Sequence, residues 1–231
     1  MRSPGPLVAL LKAAFALAID AALLALAFGG LAEMARDPRA LALLAIWGAG
    51  SVVLALRRPA RGQEVEASEP DPLPMLVLLV VPLVTPALGA WAARQGWWTL
   101  PYANTLSWFA IALVAGGLAL RVAAMLALGP RFSPLVAVQR GHVLETAGPY
   151  RRVRHPGYLG ALLACLGGAL AFGSAAALPL VALMLVAQLA RVRREEAVLA
   201  RTFGAAWDAY AARTGALLPW GSRLRRFSPS P

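Results

Sequence analysis

Cysteine occurs once in the 231 residues, at Cys165, and histidine only twice. A single cysteine excludes a disulfide framework and a cysteine-based metal site. Cys165 lies inside an apolar run and reads as a small packing residue. No metal site is read anywhere in the chain. Charge is scarce as well: 14% of residues are charged, against 59% apolar and a mean hydropathy of +0.65. A soluble domain carries about 25% charged residues and an apolar share nearer half, so this composition excludes an ordinary soluble domain. Acidic residues are the scarcest class of charge, 11 against 22 basic ones, which leaves a net charge of +11. Such an excess can signal nucleic acid. Beside so much apolar sequence it signals a positive-inside membrane protein instead, and no nucleic-acid partner is expected.

What the chain does have is long apolar runs. Six segments stand out, at 7–31, 40–56, 73–91, 104–128, 158–172 and 175–190. The first four approach the roughly 20 residues that cross a bilayer core. The first is too long for the apolar part of a cleavable signal peptide and reads as a membrane helix, with Asp20 facing protein. The last two are shorter, parted only by Gly173 and Ser174, and read as a tight helical hairpin. The expected fold is an all-α integral membrane protein with about six transmembrane helices, a cytoplasmic loop and an amphipathic C-terminal helix. With the N-terminus inside, only Arg36, Arg39 and Arg94 of the 22 basic residues fall outside. That split places both termini in the cytoplasm. The rich Ala, Leu and Arg content suggests a GC-rich bacterial source, hence a bacterial inner membrane.

Residues 1–100 hold N-terminal membrane helices without a recognised motif, and the loop 57–72 reads as a flexible linker rich in Pro and charge. The polarity that could do chemistry lies beyond residue 100. Three stretches share the cytoplasmic side. Residues 131–156 contain Pro and Gly breaks and an alternating centre, so they form a structured loop. Residues 188–204 extend the last membrane helix into water and stop at Gly204, a C′ glycine. The segment "AAWDAYAARTGALLPW" forms the amphipathic helix, with Trp207 and Tyr210 near the bilayer surface.

On the second stretch Arg191 and Glu195 stand four apart and share a helix face. Glu196 lies about 100° round the helix, so one acid faces inward near Arg191 while the other meets solvent. His155 and Tyr158 open the hairpin on the same side, and Gly160, Ala164 and Gly168 permit close helix approach. Together these residues make a polar pocket beside lipid. A glutamate can hold an ammonium or hydroxyls, arginines and His155 can hold a carboxylate, and aromatic faces can hold an adenine or a sulfonium. A nucleotide is equally admissible on these grounds.

The block "GHVLETAGPYRRVRHPGYLG", an apolar hairpin, and then "RVRREEAVLARTFGAAWDAYAARTGALLPW" resemble the isoprenylcysteine carboxyl methyltransferase and phospholipid methyltransferase family. The resemblance covers about the last hundred residues. Its specific part is the ordered pair RHPxYxG and REExxLxxxFGxxWxxY. It implies that residues 101–231 are a membrane methyltransferase-like catalytic core using S-adenosylmethionine without a Rossmann domain. The absence of GxGxxG after a strand fits that. By motif position, the resemblance implies that His142, Val143, Leu144, Tyr150, His155, Pro156, Tyr158 and Glu195 bind the cofactor. It places Arg191 toward the substrate and makes Arg201 a further candidate. Arg151 and Arg152 read as topological or lipid-contacting charges.

The reaction implied is methyl transfer to a carboxylate or amine of a lipophilic, isoprenoid- or lipid-like acceptor. A carboxylate needs no base, only a cation such as Arg191 to align it. An amine needs a base, for which Glu196 or a water is the candidate. Two other classes stay open: an NADPH-dependent sterol-reductase-like enzyme, which shares the RHPxY and acidic blocks, and a non-catalytic membrane accessory protein.

Overall fold

A computed structural model describes residues 6–56, 64–67, 72–129, 137–139 and 143–219. Helices follow the apolar runs: α1 (Pro6–Phe28), a short α2 (Leu31–Ala35), α3 (Pro38–Leu56), α4 (Pro72–Arg94), α5 (Ala103–Leu128), α6 (Pro156–Leu170), α7 (Leu178–Phe203) and α8 (Ala205–Arg213). Four of them, α1, α3, α4 and α5, are long and apolar enough to cross a membrane. The hairpin α6–α7 makes up the rest of the bundle. Its first arm is a shorter apolar helix of 15 residues. Its second arm runs unbroken from the apolar segment into the polar 191–203 stretch, as the sequence indicated. It ends at Gly204, whose φ of +49° suits glycine and whose N–H bonds the Ala200 carbonyl.

Among the described residues the fold is all-α apart from one small sheet. Strands β1 (Glu64–Ala67) and β2 (Ala137–Gln139) pair antiparallel, with Glu66 opposite Val138 and Ala67 opposite Ala137. The stretch expected to be a flexible linker therefore contributes a strand. Its partner is the alternating centre of the 131–156 loop, because each short strand lacks ladder partners until the other supplies them.

Close packing centres on α6, which sits between α4 and α5. Its small residues bring the backbones together: a Cβ on Gly160 would lie 2.5 Å from the Gly117 carbonyl oxygen and 2.7 Å from the Arg121 nitrogen of α5. On the other side a Cβ on Gly168 would meet the Pro86 ring of α4 at 3.0 Å. The stripe 160, 164, 168 thus docks α6 onto its neighbours. Helix α4 also packs on α7 and α1, and α3 packs on α1 and α5. One apolar cluster joins α1, α3 and α5 around Leu24, Leu43 and Val114. A second joins α4, α6 and α7 around Val81, Cys165 and Met184. Between α4 and α5 the helices leave a cleft.

Candidate active site

The segment Gly148–Gly160 is where a loop becomes a helix. A 3₁₀ turn over Gly148–Arg151 buries Tyr150, and Pro156 occupies the first turn of α6. Proline suits that position, since its missing N–H has no helical partner there. The segment is held from above by the C-terminal region. Arg154 and His155 donate backbone N–H bonds to the carbonyls of Gly215 and Ala216, at 2.8 and 3.0 Å. The Tyr210 hydroxyl donates to the Tyr150 carbonyl at 2.7 Å. Trp207 and Tyr210, expected near the bilayer surface, are buried against the protein. The Arg154 guanidinium lies 5.8 Å above the Trp207 ring. Burial pushes the Tyr210 phenol up to about 12, against the opposing pull of Arg154.

Two adjacent glutamates do two jobs. Glu196 accepts from Arg154 Nε at 2.7 Å and faces His155 Nε2 at 3.2 Å. Arg154 also donates to the carbonyls of Ala211 and Thr214. Burial alone raises the Glu196 carboxyl, but the hydrogen bonds and charges of His155 and Arg154 more than offset this. Its pKa lies below the usual carboxylate range. The acid expected to meet solvent is therefore the more enclosed one, because Arg154 reaches it from the facing loop. Glu195 accepts instead from the Tyr158 hydroxyl at 3.0 Å, while Arg191 Nε donates to that same hydroxyl at 2.5 Å. The phenol oxygen joins the cation to the acid. His155 Nδ1 lies 3.9 Å from Glu195, so the buried imidazole sits between the two carboxylates.

These groups head a cavity of about 600 Å³. Leu144, Tyr150, His155, Tyr158, Arg191 and Glu195 line its polar end together with Glu145, Arg154, Trp207 and Tyr210. Its other end is apolar, walled by Leu78, Pro82 and Pro86 of α4, Leu118 of α5, Cys165 of α6 and Met184 of α7, with Trp47 of α3. Met75 and Leu79 line the cavity and are also exposed on the bundle surface, so it opens sideways at the α4 face.

The sequence-derived candidates are only partly gathered here. Pro156 is buried beneath the site as the start of α6, and Val143 is largely exposed. Arg201 is exposed and does not line the cavity, nor does Glu196. His142 lies outside the described residues. Three side chains escaped the sequence reading. Arg121 of α5 lines the cavity and donates to the Gly157 carbonyl at 3.1 Å. Its signal was a lone cation in an apolar helix, where charge is expensive. Arg154 was hidden in a run of arginines, and Gln188 of α7 is fully buried beside Tyr158. Nor did the sequence show that α3 and α4 supply a wall.

Residues 105–206 match the family model of phospholipid methyltransferase. That stretch contains the hairpin, the first motif block and the second as far as Ala206, short of Trp207 and Tyr210. The chain is also 34% identical over 113 residues to the protein-S-isoprenylcysteine O-methyltransferase of Schizosaccharomyces pombe, an alignment covering 48% of each protein. The chain thus spans about half the length of that curated relative. The relative is a yeast protein, so it lends no support to a bacterial source.

Proposed function

We propose that the protein is an integral-membrane methyltransferase that uses S-adenosylmethionine to methylate a carboxylate on a lipophilic acceptor. The observation that carries this reading is the Arg191–Tyr158–Glu195 chain at the head of an apolar, laterally open cavity. The matches to methyltransferases of lipid-type substrates support it. The residues present fit the cofactor. Glu195 offers an anion for its ammonium or ribose hydroxyls, and the Tyr150, Tyr158 and Trp207 rings offer faces for its cationic and aromatic parts. Bound S-adenosylmethionine supplies an electrophilic methyl group on a sulfonium. Its leaving group is already good, so the protein's work is orientation and water exclusion.

Arg191 and Arg121 orient the acceptor carboxylate. A carboxylate held there would accept a methyl group without giving up a proton, so the chain would need to supply no base. An amine acceptor would need a base. Glu196, the candidate for that role, is engaged by Arg154 and His155 and does not line the cavity. The carboxylate is therefore the better-supported acceptor. The tail enters from the bilayer past Met75 and Leu79 and lies between α4 and α5. With the charge bias of the loops, the polar end faces the cytoplasm.

Calorimetric titration of the detergent-purified protein with S-adenosylmethionine and, separately, NADPH tests the reading. Binding of S-adenosylmethionine supports it. Binding of NADPH alone moves the protein to the reductase class.

A further inference from the structure

The cavity-facing stripe of α7 is longer than the Arg191–Glu195 pair. Met184, Gln188, Arg191 and Glu195 recur at spacings of four, three and four, which is one helix face, and all four line the cavity. Read from the apolar end, the stripe goes from thioether to neutral amide to cation to acid. Gln188 is the member with no role so far. It is fully buried, and its Nε2 donates to the Tyr158 carbonyl at 3.2 Å. That bond fixes which end of the carboxamide is which, since a carbonyl can pair only with the amide nitrogen. Its Oε1 is buried with no hydrogen-bond partner among the described residues. An acceptor atom shut away from water without a donor is costly, and such atoms call for a specific explanation.

We infer that Gln188 Oε1 receives an N–H or O–H donor carried by the methyl acceptor between its apolar tail and its carboxylate. This rests on the methyltransferase reading and adds to it a residue that discriminates among lipophilic acids. The order along the stripe sets the order along the ligand: tail at Met184, donor at Gln188, carboxylate at Arg191, cofactor at Glu195. The cofactor is the poorer source of that donor, because its polar end belongs two turns away, at Glu195. An acid with a hydrogen-bond donor beside its tail has that sequence of groups. A simple fatty or isoprenoid acid lacks the middle one.

Two probes isolate the donor: N-acetyl-S-farnesyl-L-cysteine, which has an amide N–H, and S-farnesyl-3-mercaptopropionic acid, which keeps tail and carboxylate but has no N–H. Affinities are measured by titration with S-adenosylhomocysteine present, so no turnover occurs. The wild-type protein is expected to favour the first probe by about 10-fold or more, as a site built around a buried polar group does. Gln188→Met and Gln188→Leu are both made, so that loss of one to misfolding leaves the other. Either should bring the ratio close to one. A general loss of stability lowers both affinities and leaves the ratio standing, so the ratio reports recognition. An unchanged ratio in the variants overturns the inference and leaves a trapped water as the partner of Oε1. A wild-type ratio near one does the same. If neither probe binds while S-adenosylmethionine does, the acceptor class is wrong and the methyltransferase reading survives. If S-adenosylmethionine itself fails to bind, that reading falls first.

Discussion

Replacing Tyr158 by phenylalanine removes one oxygen and keeps the ring. That oxygen carries two hydrogen bonds to charged groups, accepting from Arg191 at 2.5 Å and donating to Glu195 at 3.0 Å. A hydrogen bond to a charged partner contributes about 1.5–3 kcal/mol. The two losses do not add, because Arg191 and Glu195 are four apart on α7 and can pair directly once the phenol is gone. Glu195 is also about one-third exposed, with 32% of its side chain accessible, so water recovers part of its solvation. A net loss of about 1.5–3 kcal/mol in the binding of cofactor and acceptor is therefore expected, or about 10- to 150-fold in affinity or kcat/KM. Stability should change much less, since the ring keeps its place beside His155. The assays are titration with S-adenosylmethionine and transfer of its labelled methyl group to N-acetyl-S-farnesyl-L-cysteine, each beside a melting curve. Unchanged affinity and unchanged turnover in a folded Tyr158→Phe protein would mean that the chain through the phenol organises nothing.

Other outcomes follow from the clasp and the packing. Arg154→Ala leaves the enclosed Glu196 without its cation and frees the Ala211 and Thr214 carbonyls, and should cost about 3 kcal/mol of stability in a denaturation series. Glu196 has a lowered pKa, so the folded state holds its proton more weakly than the unfolded state. Its contribution to stability is complete above the ordinary value of 4.5 and is lost as pH falls below that, toward the folded value. Melting temperatures below that pH should thus fall less steeply in Glu196→Gln, which starts lower, than in the wild type. Gly160→Ala drives a methyl into the α5 backbone at Gly117 and Arg121 and should destabilise by about 1–3 kcal/mol. A melting curve unchanged by that substitution would contradict the close α5–α6 approach.

The helices were legible in the sequence because each apolar run is long, and the hinge at Pro156 and the stop at Gly204 are written in residue chemistry. Roles set by partners from elsewhere in the chain were not. Glu195 and Glu196 are identical side chains one step apart, and only the arrival of Arg154 and Tyr158 from α6 and its leading loop tells them apart. Trp207 and Tyr210 look like interfacial anchors on an isolated amphipathic helix. They become core residues once the 214–216 segment pairs with Arg154 and His155. Nothing local reveals that α6 lies close enough to α5 for the Arg121 guanidinium to reach Gly157. The apolar wall from α3 and α4 carries no motif at all, since any large hydrophobic residue can line a chamber.

The proposed function stands or falls with the Arg191–Tyr158–Glu195 end of the cavity as a methyl-donor site. The most direct test is a calorimetric titration of wild-type and Glu195→Ala proteins with S-adenosylmethionine, with melting curves confirming that both are folded. Saturable binding by the wild type and its loss in the variant are expected of such a site. Equal binding by both proteins, or binding by neither, contradicts it.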